Sequence, residues 1–320
     1  MGRFPGRTPY GFLLAVLALT ALGTQAFAQD LPAQISGRLD SAWAWAADPA
    51  PGQGFGLSTG TLSVTGGTRD VKTEVRLGLA SFPSPAVTLD RAWTKFRVPG
   101  WRFTAGLGRL AWGTGFVLVP GDLLFDSTSS AVNWTGDDLR SASAWLGDVW
   151  ASLGDEAFAE AAVLTDKAGA RVSAAPGGVP LEASGIWDKA ASAARAAVSA
   201  QVHLGLDWYA TVRRDPDGYQ AGGGAFGLWD LGEGTSLATR HEVLANSQDL
   251  TGKLRSYHDL SVGLDGGWSL TGRLLYTAGS SDPWTPLADL RWGPLQNLSL
   301  YTVSTLAPPW AVKVGCVAKW

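Results

Sequence analysis

The sequence predicts an all-β chain, a transmembrane antiparallel up-and-down β-barrel of about 18 strands. Three observations predict it. Short segments alternating apolar and polar residues recur along the chain, the connections between them alternate short and long, and the final segment alternates up to an aromatic end, Trp320.

The N-terminus comes first. Arg3 and Arg7 precede an apolar run from Gly11 to Gly23, and Ala26-Phe27-Ala28 supplies small residues before Gln29. This is the pattern of a secretory signal peptide, and the run is too short for a full helical span. The expected division is therefore residues 1–28 as a cleaved leader and 29–320 as a single domain. Cleavage takes Arg3 and Arg7 from the 25 basic residues and nothing from the 28 acids, so the net charge falls from −3 to near −5. A chain of that charge is not a nucleic-acid binder. The single cysteine, Cys316, rules out an intrachain disulfide framework. The mature part keeps all 16 tryptophans and no methionine, with no apolar run long enough for a membrane helix.

Period-2 alternation then marks the strands. In residues 71–80, Val71, Thr73, Val75, Leu77 and Leu79 share one face and Lys72, Glu74, Arg76 and Gly78 the other. Residues 268–277 and 101–108 repeat the pattern. Alternation alone also fits a soluble β-sandwich. The expected strands are 34–46, 55–66, 70–81, 87–98, 100–110, 138–150, 156–165, 169–175, 180–188, 193–203, 206–214, 218–230, 234–246, 254–264, 267–278, 284–292, 295–305 and 309–320. Sixteen strands also fit the length. The alanine-rich stretch 189–203 also reads as helix, and Asp90 breaks the parity of its strand.

The connections separate barrel from sandwich. With the first strand rising from the periplasm, the even-to-odd connections are short and rich in turn residues: Gly66-Gly67-Thr68, Pro99-Gly100, Pro176-Gly177-Gly178, Asp265-Gly266 and Gly293-Pro294 among them. The odd-to-even connections are longer, with Trp112 to Asp137 the longest; Asp166-Lys167-Ala168 is a short exception. Short turns at one end and long loops at the other are the habit of membrane barrels. A sheet in hydrocarbon must also close, because an open edge leaves backbone groups unpaired. Tryptophans gather near strand ends (Trp43, Trp45, Trp101, Trp112, Trp187, Trp268, Trp284, Trp292, Trp310 and Trp320), as an interfacial belt requires.

The last strand, WAVKVGCVAKW, places apolar residues on alternate positions up to Trp320. It resembles the C-terminal signal of outer-membrane barrel proteins, which implies recognition by the barrel-assembly machinery and burial in outer-membrane lipid. A second resemblance lies in residues 106–126, GLGRLAWGTGFVLVPGDLLFD. A strand ending in Gly-Arg, then Trp-Gly, then Pro-x-Asp is similar to a signature of several bacterial outer-membrane barrel families, including alginate-export-type porins. Gly108, Arg109, Trp112, Gly113, Gly115, Pro120 and Asp122 occupy the matching positions. The resemblance implies a porin-type barrel of the bacterial outer membrane and names no substrate.

The same segment opens the longest connection and is apolar at Phe116-Val117-Leu118-Val119, which disfavours exposure to water. One reading folds it into the barrel mouth as a constriction carrying Asp122 and Asp126; the other packs it over the rim. Lys72, Arg76, Arg91, Lys95, Arg97 and Arg102 are expected on the inner face, since charge on the lipid face costs about 2–4 kcal/mol at the midplane. A basic wall facing acidic loop residues would select ions; a merely hydrated wall held by Glu74–Arg pairs fits equally. His241 and His258 fall on adjacent strands, but a metal site needs a third ligand, and Glu242 and Asp259 lie on the opposite face. Ser256 beside His258 is the only lead toward a hydrolase, and no motif marks it. Neither cofactor nor metal is expected. The function that follows is a pore for small solutes or ions, as a monomer or a homotrimer. The alternative is a surface-exposed structural or adhesin barrel. An energised transporter would need a plug domain, and strands begin almost at Gln34.

Overall fold

The computed structural model describes residues 33–46, 53–81, 85–125, 143–246, 254–306 and 311–320. The signal peptide (1–28), Asp126 and Trp310 lie outside the described residues. The strands are β1 Gln34–Ala46, β2 Gln53–Gly67, β3 Val71–Ala80, β4 Ala86–Val98, β5 Trp101–Gly108, β6 Ala144–Ser152, β7 Ala157–Leu164, β8 Lys167–Ala174, β9 Leu181–Asp188, β10 Ala193–His203, β11 Asp207–Asp215, β12 Gly218–Gly232, β13 Thr235–Asn246, β14 Arg255–Leu264, β15 Trp268–Thr277, β16 Trp284–Leu295, β17 Leu298–Thr305 and β18 Ala311–Lys319. Each pairs antiparallel with its neighbour in sequence, and β1 pairs with β18, so the 18-stranded sheet closes on itself.

The polarity of this sheet is inverted relative to a soluble protein. Val198 and Leu270 are half or more exposed, whereas Glu242, Asp289 and Glu160 are almost completely buried. Buried acids inside and open aliphatics outside suit a barrel whose outer surface meets hydrocarbon and whose interior holds the polar groups. A soluble sandwich would show the reverse. Outward-facing tryptophans form two rings. Trp101, Trp208, Trp268, Trp292 and Trp320 lie toward the short-turn end, and Trp43, Trp45, Trp187 and Trp284 toward the other. Trp268 stacks on Trp292 at 5.5 Å between ring centroids. Trp112 is no member of this belt: it is fully buried inside the barrel.

Several local expectations are settled or changed. Residues 193–203 form the strand expected there and not the helix their alanines also allowed, and Asp188 accepts the Ala191 N–H at 3.0 Å in the turn before it. Alanine is a good helix former, but pairing on both edges overrides the propensity. The parity break at Asp90 is a β-bulge: Arg76 opposes Arg91, the next pair is Leu77 and Leu89, and Asp90 is the extra residue. The bulge lets Leu89 face out while Arg91 faces in. Gly293-Pro294 is a bulge within β16 and not the turn, which lies at Gln296-Asn297; Trp292 pairs with Leu300 and Leu295 with Leu298. Proline is tolerated there because a bulge has already broken the ladder.

The closing seam is tight. Gly37 and Trp320 exchange backbone hydrogen bonds at 2.9 and 3.0 Å. The Trp320 indole lies so close over Gly37 that a Cβ there would fall 2.2 Å from the ring. Only glycine leaves that space.

The seam register puts Cys316 opposite Ser41, on the outward face with Trp43 and Val314. In lipid vesicles a hydrophobic maleimide is expected to label this cysteine and a charged, water-soluble one to leave it unmodified. Ready labelling by the charged reagent would place Cys316 in the lumen and overturn the register of β18.

Candidate functional site

The chain leaves β5 at Gly108 and turns into the barrel. Its described part, residues 109–125, is an irregular segment packed against the inner wall, with Val117 through Leu124 buried. Burying irregular backbone requires partners for its N–H and C=O groups. Acids on the strands accept from several of the N–H groups.

Glu242 on β13 is the principal receiver. Phe116 N–H donates to Oε1, and Val117 and Leu118 N–H each donate to Oε2 at 2.8 Å. The Tyr209 hydroxyl on β11 donates to Oε1 at 2.6 Å. Three successive backbone amides converging on one carboxylate form a nest for negative charge, here filled by the barrel's own side chain. Glu182 on β9 accepts the Gly113 N–H at 3.0 Å, and Glu160 on β7 accepts the Trp112 indole N–H at 2.9 Å. Arg171 spans these two acids at 2.5 and 2.8 Å, and Arg102 reaches Glu160 at 2.9 Å. Lys167 donates to the Leu124 carbonyl at 2.8 Å.

The residues of the 106–126 signature each carry part of this arrangement. Arg109 and Asp122 bridge the two ends of the segment at 2.5 Å, with Asp122 fully buried. Gly113, in a left-handed conformation (φ 73°), touches Gly121: a Cβ would meet the Gly121 backbone at 2.6 Å. Gly115 (φ 123°) lies beneath Tyr209 and Glu242, and Pro120 sits on Gly222 of β12. Apolar side chains fill the rest. Trp112, Leu123 and Leu124 pack with Leu146, Ala162, Leu164, Ile186 and Ala197; Val117 and Leu118 pack with Leu244, Tyr257 and Leu275. Phe116 is held between Phe226 and the Arg240 guanidinium, 4.1 Å from its ring.

These contacts lie on β6 through β15. The rest of the wall, β16 to β18 and β1 to β5, presents charges to the lumen. Asp40 receives the Tyr301 hydroxyl at 2.6 Å, and Asp289 pairs with Arg291 at 2.8 Å. All six bases expected on the inner face are there by register: Lys72 opposes Lys95, Arg76 opposes Arg91, and Arg97 opposes Arg102. Arg76 pairs with Glu74 at 2.8 Å, as the hydrated-wall reading expected. The acidic half of the arrangement differs. Asp122 is in the lumen, but its burial and its bond to Arg109 make it a tether closed off from water, not an open pore charge. Asp126 lies outside the described residues.

Glu160, Glu182 and Glu242 had no place in the sequence-based site. Their signal was present: a lone acid amid alanines, as in AFAEAAVL, is costly in a membrane strand unless something inside the barrel needs it. His241 and His258 oppose each other directly, with their Nδ1 atoms 2.9 Å apart on the outward face. The register expected from the sequence is therefore present. Glu242 and Asp259 point the other way, and among the described residues no three ligating groups come together. Ser256 opposes Val243 and Tyr276, not an acid.

Two substitutions test the tethers. Arg109→Ala leaves Asp122 buried without its partner, a loss of about 3–5 kcal/mol. The loss should fall on the loop, since the strand ladder does not depend on it. Glu242→Gln weakens charge-assisted bonds and should cost less, about 1.5–3 kcal/mol. Hydrogen exchange of the Phe116–Leu118 amides should rise in both; exchange as slow as in the unchanged protein would remove the tether assignment.

No family model matches this chain, and no curated protein matches it in sequence. Solved structures do match in shape. A chain described under the heading of asymmetric conductivity of engineered proteins aligns with a TM-score of 0.55 at 10% identity, covering 90% of this chain and 100% of its own. Two multiply substituted forms of the Rhodopseudomonas blastica porin align with a TM-score of 0.54, at 11% and 10% identity and with the same coverage. At such identity the likeness is one of fold, and in fold this chain is a porin-like β-barrel.

Proposed function

We propose that the protein is a porin-type pore of the bacterial outer membrane, through which small solutes or ions diffuse past the loop of residues 109–125. The observation that carries this reading is the division of the inner wall. One arc is carpeted by a tethered segment, and the other keeps charged side chains facing the lumen. A barrel serving only as a surface scaffold has no need to pack residues 109–125 inside or to hold six bases on one stretch of wall. The segment's glutamate tethers suit a fixed constriction, because a rigid rim sets a pore's size limit.

The rest of the reading follows from the sequence. Residues 1–28 direct export, Trp320 ends the strand that the barrel-assembly machinery reads, and the apolar outer face rests in outer-membrane lipid. The engaged form is a monomer or a homotrimer.

Planar-bilayer recording of the refolded mature protein tests the proposal. Discrete conductance steps are expected. Glu242→Ala, which frees the Phe116–Leu118 stretch of the loop, should raise single-channel conductance or its noise. No conductance at any voltage would sink the pore. Conductance indifferent to Glu242→Ala and Arg109→Ala would sink the constriction.

A further inference from the structure

The outer face of β13 to β15 carries an island of polar side chains among aliphatics. His241 opposes His258, Ser256 lies two residues before His258 on the same face, and Tyr276 opposes Ser256. Val243, Leu260 and Leu270 around them are exposed, as a wall against lipid requires. Imidazoles and hydroxyls on such a wall are costly and point to a function. The Tyr276 ring packs on Trp284 at 4.4 Å between centroids, so the island lies level with the aromatic ring at the long-loop end. That is the depth at which lipid headgroups meet their acyl chains.

The hydrogen bonds assign the imidazole protons. The Thr239 hydroxyl donates its one proton to the Asp259 carbonyl at 3.1 Å, so it accepts from His241 Nε2–H at 2.8 Å. His241 Nδ1 is then bare and accepts from His258 Nδ1–H at 2.9 Å. That leaves His258 Nε2 with an open lone pair. Among the described residues neither this nitrogen, nor the Ser256 hydroxyl, nor the Tyr276 phenol has a hydrogen-bond partner. Residues two apart on a strand are about 7 Å apart at Cα, a span that a serine and an imidazole close with their side chains. An imidazole held through Nδ1, with a bare Nε2 and a serine within reach, is the base-and-nucleophile arrangement of acyl transfer.

Going beyond the pore reading, we infer that Ser256, His258 and Tyr276 form a lipid-facing site that hydrolyses the acyl esters of membrane lipids, with His241 and Thr239 as positioning residues. Ser256 Oγ attacks the acyl carbon while its proton passes to His258 Nε2. Tyr276 donates a hydrogen bond to the oxyanion, a task closed to strand N–H groups that are spent on the ladder. The ester C–O bond breaks, and the leaving alkoxide takes the proton from His258. Water then gives a proton to the same nitrogen as its oxygen attacks the acyl-serine. The fatty acid leaves, and Ser256 takes the proton back. Val243, Leu260 and Leu274 flank the site with a surface for the acyl chain. The lumen takes no part, because these side chains lie on the opposite face of the sheet from the buried Glu242 and Asp259.

The test incubates the refolded mature protein in mixed micelles of dodecyl maltoside and dioleoyl phosphatidylglycerol and measures free oleic acid. A fluorophosphonate probe, located by peptide mass spectrometry, reads out the nucleophile separately. Release of oleic acid and an adduct on Ser256 are expected. Ser256→Ala should lose both and keep the parent's conductance. His258→Phe should lower release by about a hundredfold or more, the contribution of a general base. His241→Asn, whose amide oxygen still accepts the Nδ1–H, should keep most of the release, whereas His241→Leu should lose as much as His258→Phe. Equal loss in those two variants would overturn the positioning role. The adduct is read on the unchanged protein, so the site does not depend on any variant folding. No oleic acid and no adduct, or release that survives Ser256→Ala, overturns the site and leaves the pore standing. Release without conductance would remove the pore and leave the site.

Discussion

The interior of this barrel is organised around one requirement: an irregular segment placed inside a closed sheet must find partners for its backbone groups. The ladder cannot serve, because strand N–H and C=O groups are already spent on one another. Side chains pointing inward must do it. Glu242 receives three consecutive amides, Glu182 one, and Glu160 the indole that anchors the segment's start. Each acid is buried or nearly so, and a buried carboxylate is tolerable only when it is saturated with donors or paired. The segment therefore needs the acids and the acids need the segment. Arg171, Arg102 and Tyr209 complete the shells of these carboxylates.

That mutual dependence explains the asymmetry of the lumen. The strands that carry the receiving acids also carry inward aliphatics such as Leu146, Leu164 and Leu244, since the segment brings its own apolar face. The strands across from it receive no such cover. There Tyr301, Val303 and Val317 bury one another beside Asp40 and Asp289 on β16 to β18 and β1, while bases gather on β3 to β5, where Lys72 and Arg97 are exposed. A residue's role is set by the arc on which it lies. Asp122 and Asp40 are both inward and both buried, yet one ties a loop to itself and the other joins Tyr301 in bracing the wall.

Much of the fold was legible because period-2 alternation is written in most strands, and because turns and loops at opposite ends differ in length. Eighteen strands in sequential antiparallel order follow from those two facts. What escaped has local physical causes. Asp90 and Gly293-Pro294 are bulges, and a bulge reads in sequence as a broken parity or as a turn. The strand at 193–203 was legible, but helix stayed open beside it because alanine's preference is local while its pairing is not. The site was half legible. The basic wall followed from the cost of charge in lipid, and the inward loop from four apolar residues in a long connection. The receiving glutamates did not, since what identifies them is a contact across more than a hundred residues, such as Val117 with Glu242. Nor did the neutralisation of Asp122, because Arg109 stands thirteen residues earlier, too far apart to read as one pair.

The seam at Gly37 and Trp320 has a consequence for how such a cylinder comes into being. Seventeen of its strand contacts join neighbours in sequence and can form as the chain is laid down; the remaining one joins its two ends. Until that last contact forms, β1 and β18 each present a bare edge, the feature most open to mispairing with another chain. Closure is therefore an all-or-nothing inspection at the end of assembly. The indole seated on a bare glycine gives the two edges a register mark, so a seam slipped by one residue would set Trp320 against a side chain instead of a vacancy.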